Sequence, residues 1–236
     1  MKIEVLFPEI GNLCGDLMNI RYLQQCCSDI EVVETDLKSR PRFLDEDIAL
    51  VYLGSLTERG LELAAEALTP VKEELLSKLS AGQRMLVTGN AVDALSLSAD
   101  SDEGWHLDGL GILPTRARYK MMQRHNSFYL GSFGDMEIVG FKSLFGHSYD
   151  APEENALFTT LRGVGRNEGT ALEGWHIGNL VATYLTGPLL VLNPPFCKWL
   201  LRELGCDDTL AFEEAAFAAY EQRLSEFRDE NRPWKY

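Results

Sequence analysis

The chain has 236 residues, of which 45% are hydrophobic and 25% are charged, a composition typical of a globular protein with a substantial core. Its formal net charge of -14 argues against non-specific binding to nucleic acid or to an anionic membrane surface. No segment approaches the ~20 apolar residues that a spanning helix needs, so we expect no membrane insertion.

The cysteines argue for an intracellular protein. There are five of them, an odd number without regular spacing, which predicts neither a disulfide framework nor a zinc site. The acidic Glu4 and the Pro8 that follows it interrupt any apolar core of a signal peptide. We therefore expect a cytoplasmic location with reduced thiols, no bound metal and no cofactor.

The first half of the chain predicts strands that alternate with helices. Apolar runs predict strands at 3–7, 30–33, 48–53 and 85–87, and helical spacing of apolar residues predicts helices at 17–27 and 60–79. In the second helical region Thr69 is expected to cap a helix that Pro70 opens, and Gly82 to end it. This rhythm predicts a parallel sheet covered by helices.

The second half has a different character. The sequence predicts a polar loop at 98–103, antiparallel hairpins within 119–141, a glycine-rich loop at 163–169, a strand at 181–185 and an amphipathic helix at 210–227. The glycine-rich loop lacks the spacing and the Lys–Ser/Thr pair of a phosphate-binding loop. No internal repeat or low-complexity linker divides the chain, so we expect one domain spanning 1–236.

A strand, a sharp turn and a helix are predicted across Gln83–Leu95. Such an elbow presents a group above the carboxyl edge of an α/β sheet, where many enzymes place a Ser or Cys nucleophile. Here the tip consists of Thr88, Gly89 and Asn90. With Asn90, the backbone N–H groups of a helix beginning near Ala91 would form a site for an anion or an amide.

Ordered sequence blocks cover nearly the whole chain. They are Asn12–Ile20, Asp47–Gly54, Leu107–Leu113, Ile138–Phe141, Gly163–Asn167 and Ala182–Leu190, the last followed by Asn193–Pro194. Together they resemble the class I glutamine amidotransferases of the cobyric acid synthase type, and most of all the amidotransferase subunit of lipid II isoglutaminyl synthase. The resemblance implies an α/β, three-layer flavodoxin-like class I glutamine amidotransferase fold with a mainly parallel central sheet and a β-rich C-terminal half.

The positions that match the family's catalytic groups are substituted. In that family a Cys at the elbow attacks the glutamine amide, a His activates the thiol, and backbone N–H groups stabilise the oxyanion. The match places Gly89 at the nucleophile and Thr186 at the base. The family's glycine-rich oxyanion turn is matched by Leu53–Thr57, in which Gly54 alone remains. A glycine cannot attack a carbonyl, and a threonine is a poor base at neutral pH.

The pocket itself is expected to survive. If the fold is kept, the residues expected to line it are Asp16, Gly54, Asn90, Arg116, Asn167 and Thr186. Our leading hypothesis is a glutaminase-inactive pseudoenzyme that binds or regulates a Mur-ligase-like partner protein and retains a small amide or amino-acid ligand.

Two other hypotheses stay open. One is an enzyme with altered hydrolase or transferase chemistry in the same crevice, using Asn90, Asp93, Thr186 or His147. The other is an active glutamine amidotransferase with a relocated nucleophile, drawn from Cys14, Cys26, Cys27, Cys197 and Cys206. That case requires a Cys and a His within hydrogen-bond distance of each other.

Overall fold

A computed structural model describes all residues, 1–236. The strands are β1 (Lys2–Leu6), β2 (Glu31–Thr35), β3 (Leu50–Leu53), β4 (Met85–Thr88), β5 (Ser98–Ser101), β6 (His106–Asp108), β7 (Arg116–Tyr119), β8 (His125–Phe133), β9 (Met136–Leu144), β10 (Gly146–Tyr149), β11 (Phe158–Arg162), β12 (Leu172–Glu173), β13 (Trp175–Ile177) and β14 (Leu180–Thr183). The α-helices are α1 (Met18–Cys26), α2 (Glu58–Leu68), α3 (Lys72–Ser80), α4 (Leu189–Leu192), α5 (Pro194–Glu203) and α6 (Glu213–Arg228). Short 3-10 helices cover Leu13–Gly15, Arg42–Leu44, Thr69–Val71 and Gly89–Leu95. None of these helices combines the length and the apolar composition needed to cross a bilayer.

The central sheet has six strands in the order β13-β14-β4-β3-β1-β2. All neighbours are parallel except β13, which runs antiparallel to β14. The five parallel strands have the flavodoxin-like order, in which ligands bind at the carboxyl edge. All residues of β3 and β4 are buried, as the continuous apolar runs predicted for strands covered on both faces.

Alternating side chains of the central sheet enter two different cores, which makes the fold three-layered. Val51 and Val87 pack in the core that contains α2 and α3. Leu50 and Leu86, their chain neighbours, pack in the core that contains α1 and α5. This alternation follows from the two-residue period of a strand, and it confirms the expected parallel sheet with helices on both faces.

The second half adds two antiparallel-rich sheets of four strands each, in the orders β10-β7-β5-β6 and β12-β11-β8-β9. The hairpin of β8 and β9 is the longest element of this half, with nine residues in each strand. The predicted loop at 98–103 is wrong in part, because Ser98–Ser101 forms β5. Polar residues form a strand there because β6 and β7 pair with both of its edges and only Ala99 is buried.

The caps around α2 also differ from expectation. Thr69 is not an N-terminal cap; it ends α2 as the C-cap, and its hydroxyl donates to the carbonyl oxygen of Ala65 at 2.7 Å. The side-chain cap is instead at Thr57, whose Oγ1 accepts the N–H of Gly60 at 3.0 Å. Gly82 follows α3 with a φ of +100°, the left-handed conformation that ends a helix.

A buried ion pair joins the β-rich half to the central sheet. The Nζ of Lys142 lies 3.4 Å from Oε1 of Glu173, and both side chains are almost completely buried, at 1% and 0% exposure. Lys142 also donates to the carbonyl oxygen of Gly165 at 2.7 Å. Glu173 accepts from the hydroxyl of Thr183 at 2.7 Å and from the N–H of Tyr184 at 3.0 Å, directly after β14. Burial lowers the pKa of Lys142.

We expect Lys142→Met to reduce the free energy of unfolding by about 3 kcal/mol, because the substitution leaves the carboxylate of Glu173 buried and unpaired. Urea denaturation measures this change. The matched control Lys38→Met, at an exposed position, should stay within about 0.5 kcal/mol of the natural protein. If Lys142→Met is equally mild, the ion pair does not stabilise the junction.

Candidate functional site

A crevice opens at the carboxyl ends of β3, β4 and β14. It has an empty volume of about 600 Å³, including its open mouth. Gly89, the residue after β4, lies on its wall, together with Cys14, Ser55, Asn90, Arg124, Tyr184 and Thr186. Gly89 and Thr186, the positions matched to the family's nucleophile and base, therefore line one cavity, which we call the elbow crevice.

Gly89 has the backbone of an elbow without room for a side chain. Its φ is +63°, a conformation that residues with a β-carbon rarely adopt. A β-carbon at this position would lie 1.9 Å from Oγ of Ser55 and 2.7 Å from its Cβ. Real atoms cannot approach so closely. The side chain of Ser55 therefore occupies the space that a nucleophile at position 89 would need.

The carboxylate of Asp16 holds Ser55 in that position. Its Oδ2 accepts the hydroxyl of Ser55 at 2.7 Å, the backbone N–H of Ser55 at 2.8 Å and the hydroxyl of Thr88 at 2.6 Å. Asp16 is fully buried beneath the crevice. Burial raises its pKa, and the hydrogen bonds from Thr88 and Ser55 oppose that rise.

Buried polar side chains extend this network into the sheet. The hydroxyl of Tyr52 lies 2.9 Å from that of Thr88, and the Nδ2 of Asn19 donates to Tyr52 at 3.0 Å. Asn19 also accepts the backbone N–H of Leu190 at 2.8 Å, which ties the network to α4. Every buried polar group here has a partner, so the floor of the crevice is rigid.

Thr186 cannot replace the missing base. Its backbone N–H and carbonyl pair with those of Phe141 at 3.0 and 3.2 Å, an isolated bridge between two sheets. Its hydroxyl donates to the carbonyl oxygen of Phe141 at 3.2 Å. The side chain is only 7% exposed. A hydroxyl already engaged in this way does not accept a proton at neutral pH.

The segment after the elbow differs from the predicted α-helix. Gly89–Leu95 is a 3-10 helix in which every residue except Asn90 is buried. The Oδ1 of Asn90 accepts the N–H of Leu56 at 2.9 Å and thereby closes the turn after β3. The expected anion site of Asn90 and helical N–H groups is therefore not formed as predicted, because the segment is short and Asn90 supports a neighbouring loop.

Asp93 lies beneath the crevice and is fully buried. Its two carboxylate oxygens accept the hydroxyls of Tyr119 and Tyr184, each at 2.5 Å. Tyr184 reaches the crevice wall, whereas Asp93 does not line it. Burial raises the pKa of Asp93 to about 6, although the tyrosine hydrogen bonds lower it.

One thiol faces the crevice. Cys14 lines the wall opposite the elbow. Burial and the nearby carboxylate of Asp16 raise the pKa of this thiol. No histidine lines the crevice, and none of the four hydrogen-bonds to a cysteine. The arrangement required for a relocated Cys–His pair is therefore not formed.

The other predicted pocket residues lie around the crevice rather than in it. A β-carbon at Gly54 would lie 2.4 Å from the carbonyl oxygen of Gly11, so this glycine permits a close approach of two loops. Arg116 is exposed on β7. Asn167 donates to the carbonyl oxygen of Ser148 at 2.6 Å. Gly54, Arg116 and Asn167 are not among the residues that line the crevice.

Most residues of the crevice wall were not predicted as pocket residues, among them Ser55, Arg124 and Tyr184. Ser55 falls within the turn matched to the family's oxyanion loop, so its position near the elbow could be expected from the sequence. The direction of its side chain, toward Gly89, could not be predicted from the sequence. Arg124 comes from the start of the β-rich half, where no sequence block marks it.

Comparisons with known proteins show which sequences and structures the chain resembles. No protein family model matches the chain. The lipid II isoglutaminyl synthase (glutamine-hydrolyzing) subunit GatD of Staphylococcus aureus is 27% identical over 198 residues, which cover 83% of this chain and 80% of that protein. GatD of Streptococcus pneumoniae is 24% identical over 204 residues, covering 82% and 76%.

Solved structures decide the architecture. The PurLQS structure from Thermotoga maritima superposes with a TM-score of 0.56 at 13% identity, covering 94% of this chain and 98% of that one. A glutamine amidotransferase of the same organism gives 0.52 at 13% identity, covering 96% and 98%. The chain has the class I glutamine amidotransferase fold. The fold-class prediction is confirmed, and the two GatD sequences support the resemblance to this family.

We expect Gly89→Ala to destabilise the protein by about 2–4 kcal/mol, since left-handed backbone strain and the contact with Ser55 act together. Gly178→Ala is the matched control, because Gly178 has a φ of +56° and open space around its Cβ position. It should cost only about 1 kcal/mol.

Denaturation of Gly89→Ala in a Ser55→Gly background completes a double-mutant cycle. In that background the destabilisation caused by the alanine should fall to the value measured for Gly178→Ala. An unchanged cost would show that Ser55 does not fill the space over Gly89.

Asp93 should make stability depend on pH. Because its folded pKa is about 6 and its unfolded value about 3.8, the folded state holds the proton more tightly, and stability falls as pH rises through this window. Relative to Asp93→Asn, the natural protein should lose up to about 3 kcal/mol between pH 4 and pH 6.5. Urea unfolding of both proteins at several pH values measures this difference in the free energy of unfolding. If the two free energies depend on pH in the same way, the raised pKa is not that of Asp93.

Proposed function

We propose that the chain is a glutamine amidotransferase-like pseudoenzyme, a single cytoplasmic domain spanning 1–236 that binds or regulates a partner without hydrolysing glutamine. The observation that carries this proposal is the position of Ser55, 1.9 Å from where a β-carbon at position 89 would lie. A simple loss of the nucleophile would leave an empty space. Here the space is filled by a side chain that Asp16 holds with two hydrogen bonds.

The other polar groups of the crevice also support the proposal that the chain does not hydrolyse glutamine. Thr186 donates its hydroxyl to a carbonyl, and Cys14 has a raised pKa and no histidine beside it. Chemistry through Asp93 or His147 has less support, because Asp93 is enclosed by tyrosines and His147 lines a different cavity. The Ser55 hydroxyl is the group of the crevice that lies beside a base, at 2.7 Å from the carboxylate of Asp16. That carboxylate is buried and also accepts the N–H of Ser55 and the hydroxyl of Thr88, so we propose that the pair holds the elbow in shape rather than acting as nucleophile and base.

The two similar sequences belong to proteins named as subunits of lipid II isoglutaminyl synthase, so each of those proteins acts with another chain. We propose a corresponding Mur-ligase-like partner for this chain. The crevice is open to solvent, and we propose that it takes a small amide or amino-acid ligand whose binding affects the partner and which is not consumed.

An ammonia-release assay with glutamine at neutral pH tests the proposal. We expect no release above background, either for the protein alone or with candidate Mur-ligase-like partners. A stable complex with such a partner on size-exclusion chromatography is expected alongside. Release of ammonia that a thiol alkylating agent abolishes would overturn the proposal, and loss of that activity in Cys14→Ser would identify a relocated nucleophile.

A further inference from the structure

A second cavity, with an empty volume of about 880 Å³ including its mouth, lies in the β-rich half beside the elbow crevice. Four cationic side chains line it: Arg118, Lys120, Arg124 and Lys235. Glu168 is the one acidic residue on its wall. We call this site the basic cavity. Arg124 is the charged residue that lines both cavities.

The charge of the basic cavity is opposite to that of the whole protein. The chain has 36 acidic and 22 basic residues, so acidic residues outnumber basic ones on its surface as a whole. In the cavity four basic side chains face one acidic side chain. Such a concentration of one sign in a concave site focuses the electrostatic potential and attracts an anion.

Most of these cations have no acidic partner. Lys120, Arg124 and Lys235 take part in none of the ion pairs of the protein, and Glu168 takes part in none either. Arg118 lies 3.5 Å from Asp150 at the rim, where both side chains are more than half exposed. The charges of the cavity are therefore available to a ligand.

Paired strands keep these side chains together. Arg118 on β7 lies directly opposite His147 on β10, so both point to the same side of the sheet. The guanidinium of Arg118 stacks over Tyr149 at 4.7 Å, and that of Arg124 over Phe145 at 4.4 Å. Both arginines, whose guanidinium groups suit phosphate geometry, are thus held by aromatic rings, and Arg118 also has its exposed ion pair with Asp150.

The C-terminal segment brings the fourth cation. The N–H of Phe128 donates to the carbonyl of Trp234 at 3.0 Å, and Lys235 forms a bridge opposite Ser127 on β8. Cations from β7, from the segment between β7 and β8, and from the C-terminal segment thus line one cavity.

The positive charges near the basic cavity also affect the pKa values of two histidines on its wall, His125 and His147. The rings of His125 and His147 lie 5.2 Å apart. Burial, together with the nearby Lys142, His125, Lys120 and Lys235, lowers the pKa of His147 to about 4. Burial, Lys235 and Lys142 lower the pKa of His125, while Glu168 raises it. Both rings are neutral at pH 7, so they add hydrogen-bonding groups rather than charge.

We propose that the basic cavity binds a diphosphate group. With the histidines neutral, the four cations and one carboxylate give a net charge of +3. Two linked phosphoryl groups carry about three negative charges at pH 7, which matches this charge better than a single phosphate does. The proposal goes beyond the function of the elbow crevice and does not depend on it.

Calorimetric titration of the full chain with inorganic pyrophosphate tests the site. We expect saturable one-to-one binding that weakens with added salt. Lys120→Gln and Lys235→Gln should each weaken it about tenfold, since each removes a charge-assisted contact. The matched control Lys38→Gln, on an exposed lysine outside the cavity, should leave the affinity unchanged. No binding at millimolar pyrophosphate, or equal weakening by Lys38→Gln, overturns the proposal.

Two further ligands separate the sources of the diphosphate. Tighter binding of ADP than of pyrophosphate would support a nucleotide as the source, and equal affinities would support recognition of the diphosphate alone. Inorganic phosphate that binds as tightly as pyrophosphate would overturn the diphosphate assignment. A rise in the pKa of His147 on adding pyrophosphate, followed by NMR, places the ligand in the cavity; an unchanged value would place it elsewhere.

Discussion

The carboxylate of Asp16 accepts four hydrogen bonds at the centre of this molecule, two from Ser55, one from Thr88 and one from Asn19. A carboxylate so completely buried is tolerated only when its lone pairs are satisfied, so these bonds are a structural requirement of the sheet edge. They join the loop after β1, the turn after β3 and the end of β4. The same bonds place the Ser55 side chain over Gly89. One constraint thus holds the elbow in shape and closes it to a nucleophile.

The two positions that match the nucleophile and the base of the amidotransferase family both have a defined backbone in this fold. Gly89 has a left-handed backbone, and Thr186 forms a backbone bridge to Phe141. The buried pair of Lys142 and Glu173 supports that wall from behind. These features serve stability and shape, whereas the thiol, the imidazole and an open oxyanion turn serve catalysis. In the proposed pseudoenzyme the first set of features is present without the second.

Sequence patterns were sufficient for the sheet and for the convergence of the two substituted positions. Continuous apolar runs identify buried parallel strands, and ordered blocks relate Gly89 and Thr186 before any contact is known. The position of Ser55 could not be predicted, because it depends on Asp16, 39 residues away. The 3-10 form of Gly89–Leu95 was missed for a related reason: complete burial removes the helical pattern. The basic cavity unites residues from distant strands and the C-terminal segment, so no local motif marks it.

The most direct test concerns the space over Gly89. In a Cys14→Ser background, Gly89→Cys would be compared with and without Ser55→Gly for labelling by an electrophilic glutamine analogue, read as intact mass and localised by peptide mapping. With Ser55 removed, the introduced thiol should react at least about tenfold faster, as expected from an overpacking cost of ~1–3 kcal/mol. Equal labelling rates in two folded variants would contradict the conclusion that Ser55 closes the elbow.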